Sequence, residues 1–148
     1  GPDRADLEAL LPSGKFHFVG KRTSDDLANH YAAMDVFVHF GTEETFGQTI
    51  QEAQASGLVV LAPNAGGPKF LVNSGVSGYL IDPEAKGAYY DRLQLVLNSS
   101  ELANKIAEGG RRSVLNKSWK ENNSKLIEFY LKALASHGRE FTEQLKVA

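Results

Sequence analysis

The sequence predicts an α/β fold in which helices cover both faces of a doubly wound parallel sheet. Three observations predict it. Four short apolar runs, residues 15–20, 35–40, 58–62 and 78–81, lack the in–out alternation of a half-exposed strand, as strands buried on both faces do. Segments of helical character separate these runs, and strands joined through helices pair in parallel. Turn-forming residues follow each run, at Gly20, Gly41, Pro63 and Asp82-Pro83.

The elements come in this order. Residues 3–11 fit a helix, and Lys15-Phe16-His17-Phe18-Val19-Gly20 reads as the first strand. Thr23-Ser24-Asp25-Asp26 is a helix-start signal, leading to Leu27, Tyr31, Ala32 and Met34 on one stripe. Asp35-Val36-Phe37-Val38-His39-Phe40 reads as the second strand. A helix is expected over residues 47–56, where Gln48, Gln51 and Gln54 interleave with Ile50, Ala53 and Ala55. Its small alanines let it lie close on the sheet, and Gly57 stops it before the third strand, residues 58–62. Pro63-Asn64-Ala65-Gly66-Gly67-Pro68 is a turn cluster, followed by a short helix over residues 69–72 and the fourth strand, residues 78–81. From Lys86 onward the pattern is helical only. One stripe holds Tyr89, Leu93, Val96 and Leu97, the next Leu102, Ile106 and Ala107, and the last Trp119, Leu126, Phe129 and Tyr130. Residues 139–148 have weak periodicity and are expected to fray or dock elsewhere.

Composition narrows the function. At 148 residues the chain fits one domain, with ordinary apolar (42%) and charged (23%) fractions. A net charge of −2 gives no electrostatic case for nucleic acid or an anionic membrane surface. Cysteine is absent, which removes disulfides and thiol chemistry. Neither a secretory signal pattern nor a long apolar span is visible, so the chain as given reads as neither exported nor membrane-spanning. His17, His30, His39 and His137 lack metal-site spacing and read as scattered packing or surface residues.

Ligands on open parallel sheets bind beyond the carboxyl ends of the strands. The run Glu44-Thr45-Phe46-Gly47-Gln48-Thr49-Ile50-Gln51-Glu52 falls at one such end. It sets two acids eight positions apart around a helix start, where backbone amides welcome a phosphate. A sugar nucleotide asks for both features: amides for its diphosphate and carboxylates for its hydroxyls. The same spacing fits a solvated acidic loop before an ordinary helix. Glu52 falls between the core stripe and the polar face, where a carboxylate needs a donor partner if partly buried.

These residues carry a resemblance. Glu44-x7-Glu52 with Phe46-Gly47 between, then Ala53, Ala55-Ser56-Gly57, resembles the signature of the retaining glycosyltransferases of family 4, which have the two-domain GT-B fold. Phe18-x-Gly20, Tyr31-Ala32-x-x-Asp35-Val36-Phe37-Val38, Ala62-Pro63-x-Ala65-Gly66-Gly67-Pro68 and Gly75-x-x-Gly78-x-Leu80 agree with it. The similarity spans about residues 1–135, and the Glu44 motif is most similar to α-mannosyltransferases that use GDP-mannose.

The resemblance implies a Rossmann-like donor-binding half of a GT-B enzyme that moves a hexose, mannose from GDP-mannose by preference, to a lipid or glycan hydroxyl. It implies that Glu44 contacts the transferred sugar and orients it for front-side attack. The amides of Phe46, Gly47, Gln48 and Thr49 would meet sugar and phosphate oxygens. Glu52 would accept from the ribose hydroxyls, Gly20, Lys21 and Arg22 would flank the base, and Leu27 would lie beneath it. Lys21-Arg22 also reads as a plain solvated loop, and Gly66-Gly67-Pro68 either as a strand-to-helix connection or as a direct ligand contact. No metal is required and no cofactor is implied beyond the sugar-nucleotide substrate. Partners are the sugar nucleotide, an N-terminal acceptor-binding domain and a lipid acceptor at a membrane surface, with no nucleic acid. The expected location is cytoplasmic or peripheral at the inner membrane face. UDP-sugar transferases, sucrose- or trehalose-type synthases and a non-catalytic doubly wound binding module are the alternatives.

Two departures stand out. Lys69 and Phe70 occupy the stretch where the family has an acid, and Val59 stands where it often has proline. The family's domain also opens with two strands, one ending in a Gly-Arg…Lys diphosphate clamp. The segment Gly1-Pro2-Asp3-Arg4-Ala5-Asp6-Leu7-Glu8 resembles the family's stretch immediately after the second of them. Residues 1–135 are therefore expected to be a partial nucleotide-sugar-binding domain, incomplete at its N-terminus and inactive alone. Residues 136–148 are expected to be a tail, frayed or docked on the N-terminal domain.

Overall fold

The computed structural model describes residues 4–11, 14–115 and 119–136. The expected tail beyond Ser136 and the Gly1-Pro2-Asp3 start lie outside the described residues. In chain order the elements are α1 (Arg4–Leu10), α2 (Ser24–Ala32), β1 (Val36–Val38), α3 (Gln48–Ala55), β2 (Val59–Pro63), α4 (Pro68–Leu71), β3 (Tyr79–Ile81), α5 (Ala88–Leu97), α6 (Ser100–Leu115) and α7 (Trp119–Ser136).

The sheet is parallel, in the order β1-β2-β3, with Val36 opposite Val59 and Leu61 opposite Tyr79. Strand β2 lies at its centre and is buried along its whole length. Alternate residues of a strand face opposite ways, and β2 therefore feeds two cores. Val60 and Ala62 join Tyr31, Ile50, Ala53 and Val72 on one face, while Val59 and Leu61 join Tyr79, Ile81, Val96 and Ile106 on the other. This is the doubly wound arrangement expected from strands lacking alternation. The small Ala53, fully buried, brings α3 close to β2.

Below the sheet, at the amino ends of the strands, the packing is polar and close. Gln54 is fully buried and donates from Nε2 to the Ser77 carbonyl at 2.9 Å. Gly109 and Gly110 let α6 pass the same 76–77 backbone without a side chain between. The last of the three glutamines interleaved along α3 is thus a core strut.

The structure corrects the sequence reading in three places. Residues 16–20 lie outside the sheet, with Phe16 and Val19 about half exposed. In a 3-2-1-4-5-6 order two strands would separate this run from β1, and among the described residues no strand fills that gap, so β1 is an edge. The second strand stops at Val38; His39 N–H still donates to the Leu61 carbonyl at 2.9 Å, but Phe40 turns out to solvent. The last helical stripe is not core: Leu126, Phe129 and Tyr130 are all exposed, as is Leu97 on α5. A 3.6-residue stripe reports an apolar face and says nothing of what covers it. Among the described residues no helix is long and apolar enough to cross a membrane.

Candidate functional site

Two loops meet at the carboxyl end of the sheet. One, residues 39–47, leaves β1, and the other, residues 64–67, leaves β2. Gly67 N–H donates to the Glu44 carbonyl at 2.7 Å and binds them together. A Cβ on Gly67 would stand 2.6 Å from the Thr45 carbonyl oxygen and 2.7 Å from that of Glu44, and one on Gly66 would overlap the Thr42 carbonyl. The glycine pair lies in the connection from β2 to α4 and brings backbone against backbone there. The pair is the bed of the acid loop.

The acid loop turns into α3 through Gly47, whose left-handed backbone (φ 57°, ψ 37°) suits glycine. A side chain there would also strike Leu71. The Glu44 carboxylate accepts from Gly47 N–H at 2.9 Å and Phe46 N–H at 3.2 Å. An anion on the amides of a helix start is the arrangement that such termini favour. Those bonds, the Gly47 amide first, hold the Glu44 pKa below its ordinary value of 4.5 against some desolvation, and the charge of His39 adds to them.

A depressed carboxylate contributes stability above the unfolded value, and that contribution is lost as pH falls through the lower folded value. The difference in melting temperature between the parent protein and Glu44→Gln is therefore expected to shrink as pH falls below about 4.5 and to vanish once Glu44 is protonated. Glutamine is the isostere of the protonated acid, so a difference that persists or grows in acid contradicts this capping role.

Glu52 lies on the exposed side of α3, five residues beyond Gly47 and hence about 7.5 Å further along the helix axis. Its Oε2 accepts from the Tyr31 hydroxyl at 3.2 Å. Burial first, then the charge of Glu52 and the hydrogen bond to it, push the Tyr31 phenol up to about 12. The amides of Gln48 and Thr49 open α3, too early in it for an intrahelical acceptor.

The remaining expected site residues divide. Leu27 packs against the core cluster that contains Tyr31, beside α3. Gly20 has a left-handed backbone (φ 68°), Lys21 is exposed, and Arg22 pairs across 3.5 Å with Asp26 on α2. Phe46 is largely exposed at the tip of the turn. Where the family has its acid, Phe70 is exposed with the Lys69 ammonium 4.9 Å from its ring centre.

Two residues of the site escaped the sequence reading. His39, expected as a packing or surface residue, packs beside the acid loop: it follows β1, stacks on Phe37 at 6.3 Å and has a buried Nε2 with no hydrogen-bond partner among the described residues. The signal was its place directly after a parallel strand. Tyr31 read as a core position, yet a buried tyrosine carries a hydroxyl that needs a partner.

A parallel sheet with helices on both faces is the α/β fold that this chain shares with GT-B glycosyltransferases. The chain belongs to the family described as Glycosyl transferases group 1, whose model matches residues 4–113. It is 41% identical over 144 residues to a GDP-mannose-dependent alpha-mannosyltransferase of Mycobacterium tuberculosis, covering 97% of this chain and 36% of that protein. Among solved structures it is similar to sucrose-phosphate synthase of Thermosynechococcus elongatus, with a TM-score of 0.76 and 28% identity over 90% of this chain and 35% of that one. It is similar also to Anabaena HepE in complex with UDP-glucose, with a TM-score of 0.70 and 27% identity over 82% of this chain and 33% of that one. The chain spans about a third of the length of the relatives it matches.

Proposed function

We propose that this chain is the donor-binding part of a retaining glycosyltransferase that moves a hexose, preferably mannose from GDP-mannose, to a lipid or glycan hydroxyl. The observation that carries this reading is the Glu44 carboxylate seated on the amides of Phe46 and Gly47, at the carboxyl end of a parallel sheet. Glu44 meets the hydroxyls of the transferred sugar there and orients it for front-side attack. The amides of Phe46 and Gly47, expected to meet sugar and phosphate oxygens, donate instead to the Glu44 carboxylate; those of Gln48 and Thr49 take phosphate oxygens, and the leaving diphosphate develops its charge against them. Glu52, further along α3, accepts from the ribose hydroxyls, while Gly20, Lys21, Arg22 and Leu27 line the base side.

The GDP-mannose dependence of the mycobacterial relative supports guanine and mannose. A second reading, a UDP-sugar donor, is favoured by the UDP-glucose held by HepE. The acceptor is assigned to an N-terminal domain and the cationic diphosphate clamp to the opening strands of the donor-binding domain, with the enzyme working in the cytoplasm against a lipid acceptor at the inner membrane face. Calorimetry of the full-length protein with GDP, UDP and ADP tests the donor. GDP is expected to bind at least about tenfold more tightly than the others, a difference of about 1.4 kcal/mol. Equal affinities overturn the guanine preference.

A further inference from the structure

We propose that Tyr31 is the positioning residue of the ribose subsite, holding Glu52 in the orientation in which it receives a nucleoside diphosphate. The inference rests on the reading that Glu52 meets ribose hydroxyls, and goes beyond it by naming what aims the acid. Tyr31 is anchored: only 6% of it is exposed, and its ring lies 5.9 Å from that of Phe37 at an interplanar angle of 55°. Its hydroxyl reaches out of this core to Glu52 Oε2 at 3.2 Å, with the Thr49 carbonyl at 3.5 Å. Glu52 itself is exposed, on a side chain that would otherwise sample several rotamers.

One rigid donor removes that freedom. A carboxylate has two oxygens and about four acceptor positions. With Oε2 held by the phenol, Oε1 keeps its lone pairs for a vicinal diol. The phenol stays a donor over the whole working range of pH, since its proton is lost only near 12. Tyr31 also stands on α2, the helix that carries Leu27 on the base side, so one helix aligns base and ribose contacts.

The experiment measures dissociation constants in the full-length protein by calorimetry. GDP is compared with 2′,3′-dideoxy-GDP, and UDP with its dideoxy form, so that the base bound does not decide the result. In the parent protein the ribose form is expected to bind more tightly than the dideoxy form. Tyr31→Phe keeps the ring against Phe37 and is expected to weaken the ribose nucleotide about threefold to tenfold, the scale set by immobilising one side chain. The dideoxy form is expected to bind as before. Glu52→Gln is expected to erase the ribose preference, and adding Tyr31→Phe to it should change nothing more. If Glu52→Gln erases the preference while Tyr31→Phe leaves it intact or weakens both nucleotides alike, the positioning role fails and the ribose reading survives. If Glu52→Gln leaves the preference intact, the ribose reading fails and takes the proposal with it.

Discussion

Replacing Glu44 with alanine in the full-length protein is expected to lower kcat/KM with the donor sugar by about a hundredfold or more. The physical reason is double. Glu44 has its carboxylate on the amides of Phe46 and Gly47 and its carbonyl under the amide of Gly67, so the residue proposed to meet the sugar is also a clasp of its loop. Removing the carboxylate takes away the group proposed to orient the hexose, and a reacting centre misplaced by about 1 Å costs about that much. Glu44→Gln separates the two parts. Glutamine can still accept from the amides, so a large loss with Gln points to the charge on the sugar, and a loss confined to Ala points to the loop. Turnover unchanged by either variant favours a non-catalytic binding module.

Gly67→Ala is expected to damage the same site from the other loop. Its backbone, φ −61° and ψ −41°, suits alanine, and on conformational entropy alone the change would stabilise the protein. The added Cβ would, however, stand 2.6 and 2.7 Å from two carbonyl oxygens of the acid loop, and neither can swing away as a flexible side chain would. Overpacking of this kind costs about 1–3 kcal/mol. Since the displaced atoms are the backbone of Thr45 and Glu44, turnover should fall about a hundredfold as well. Thermal melting and steady-state kinetics check both halves. A variant as stable and active as the parent protein would show that the loops are not wedged together.

Legibility in the sequence followed the range of the interactions. Local features read well: Gly47 and the glutamine–alanine rhythm marked α3, the unalternated runs marked β1, β2 and β3, and Gly66-Gly67 marked a turn. Contacts between distant segments did not. That Gly67 beds the Glu44 loop depends on how two strand ends converge, which no spacing encodes. The Tyr31–Glu52 bond joins residues 21 apart, and a tyrosine on a core stripe looks like packing until its hydroxyl is located. The run at residues 16–20 has strand character whether or not a neighbouring strand edge is there to receive it. Residues 126–130 have an apolar face for the same kind of reason: periodicity describes one surface, and burial takes two.

Glu44-x7-Glu52 is proposed to span one sugar nucleotide, with the opening turn of α3 between sugar and ribose. A crystal structure of the full-length protein with GDP-mannose tests it most directly. The account predicts the hexose against Glu44, the diphosphate at the amides of Gln48 and Thr49, and the ribose hydroxyls on Glu52. A donor bound elsewhere, with both acids facing solvent, would contradict it.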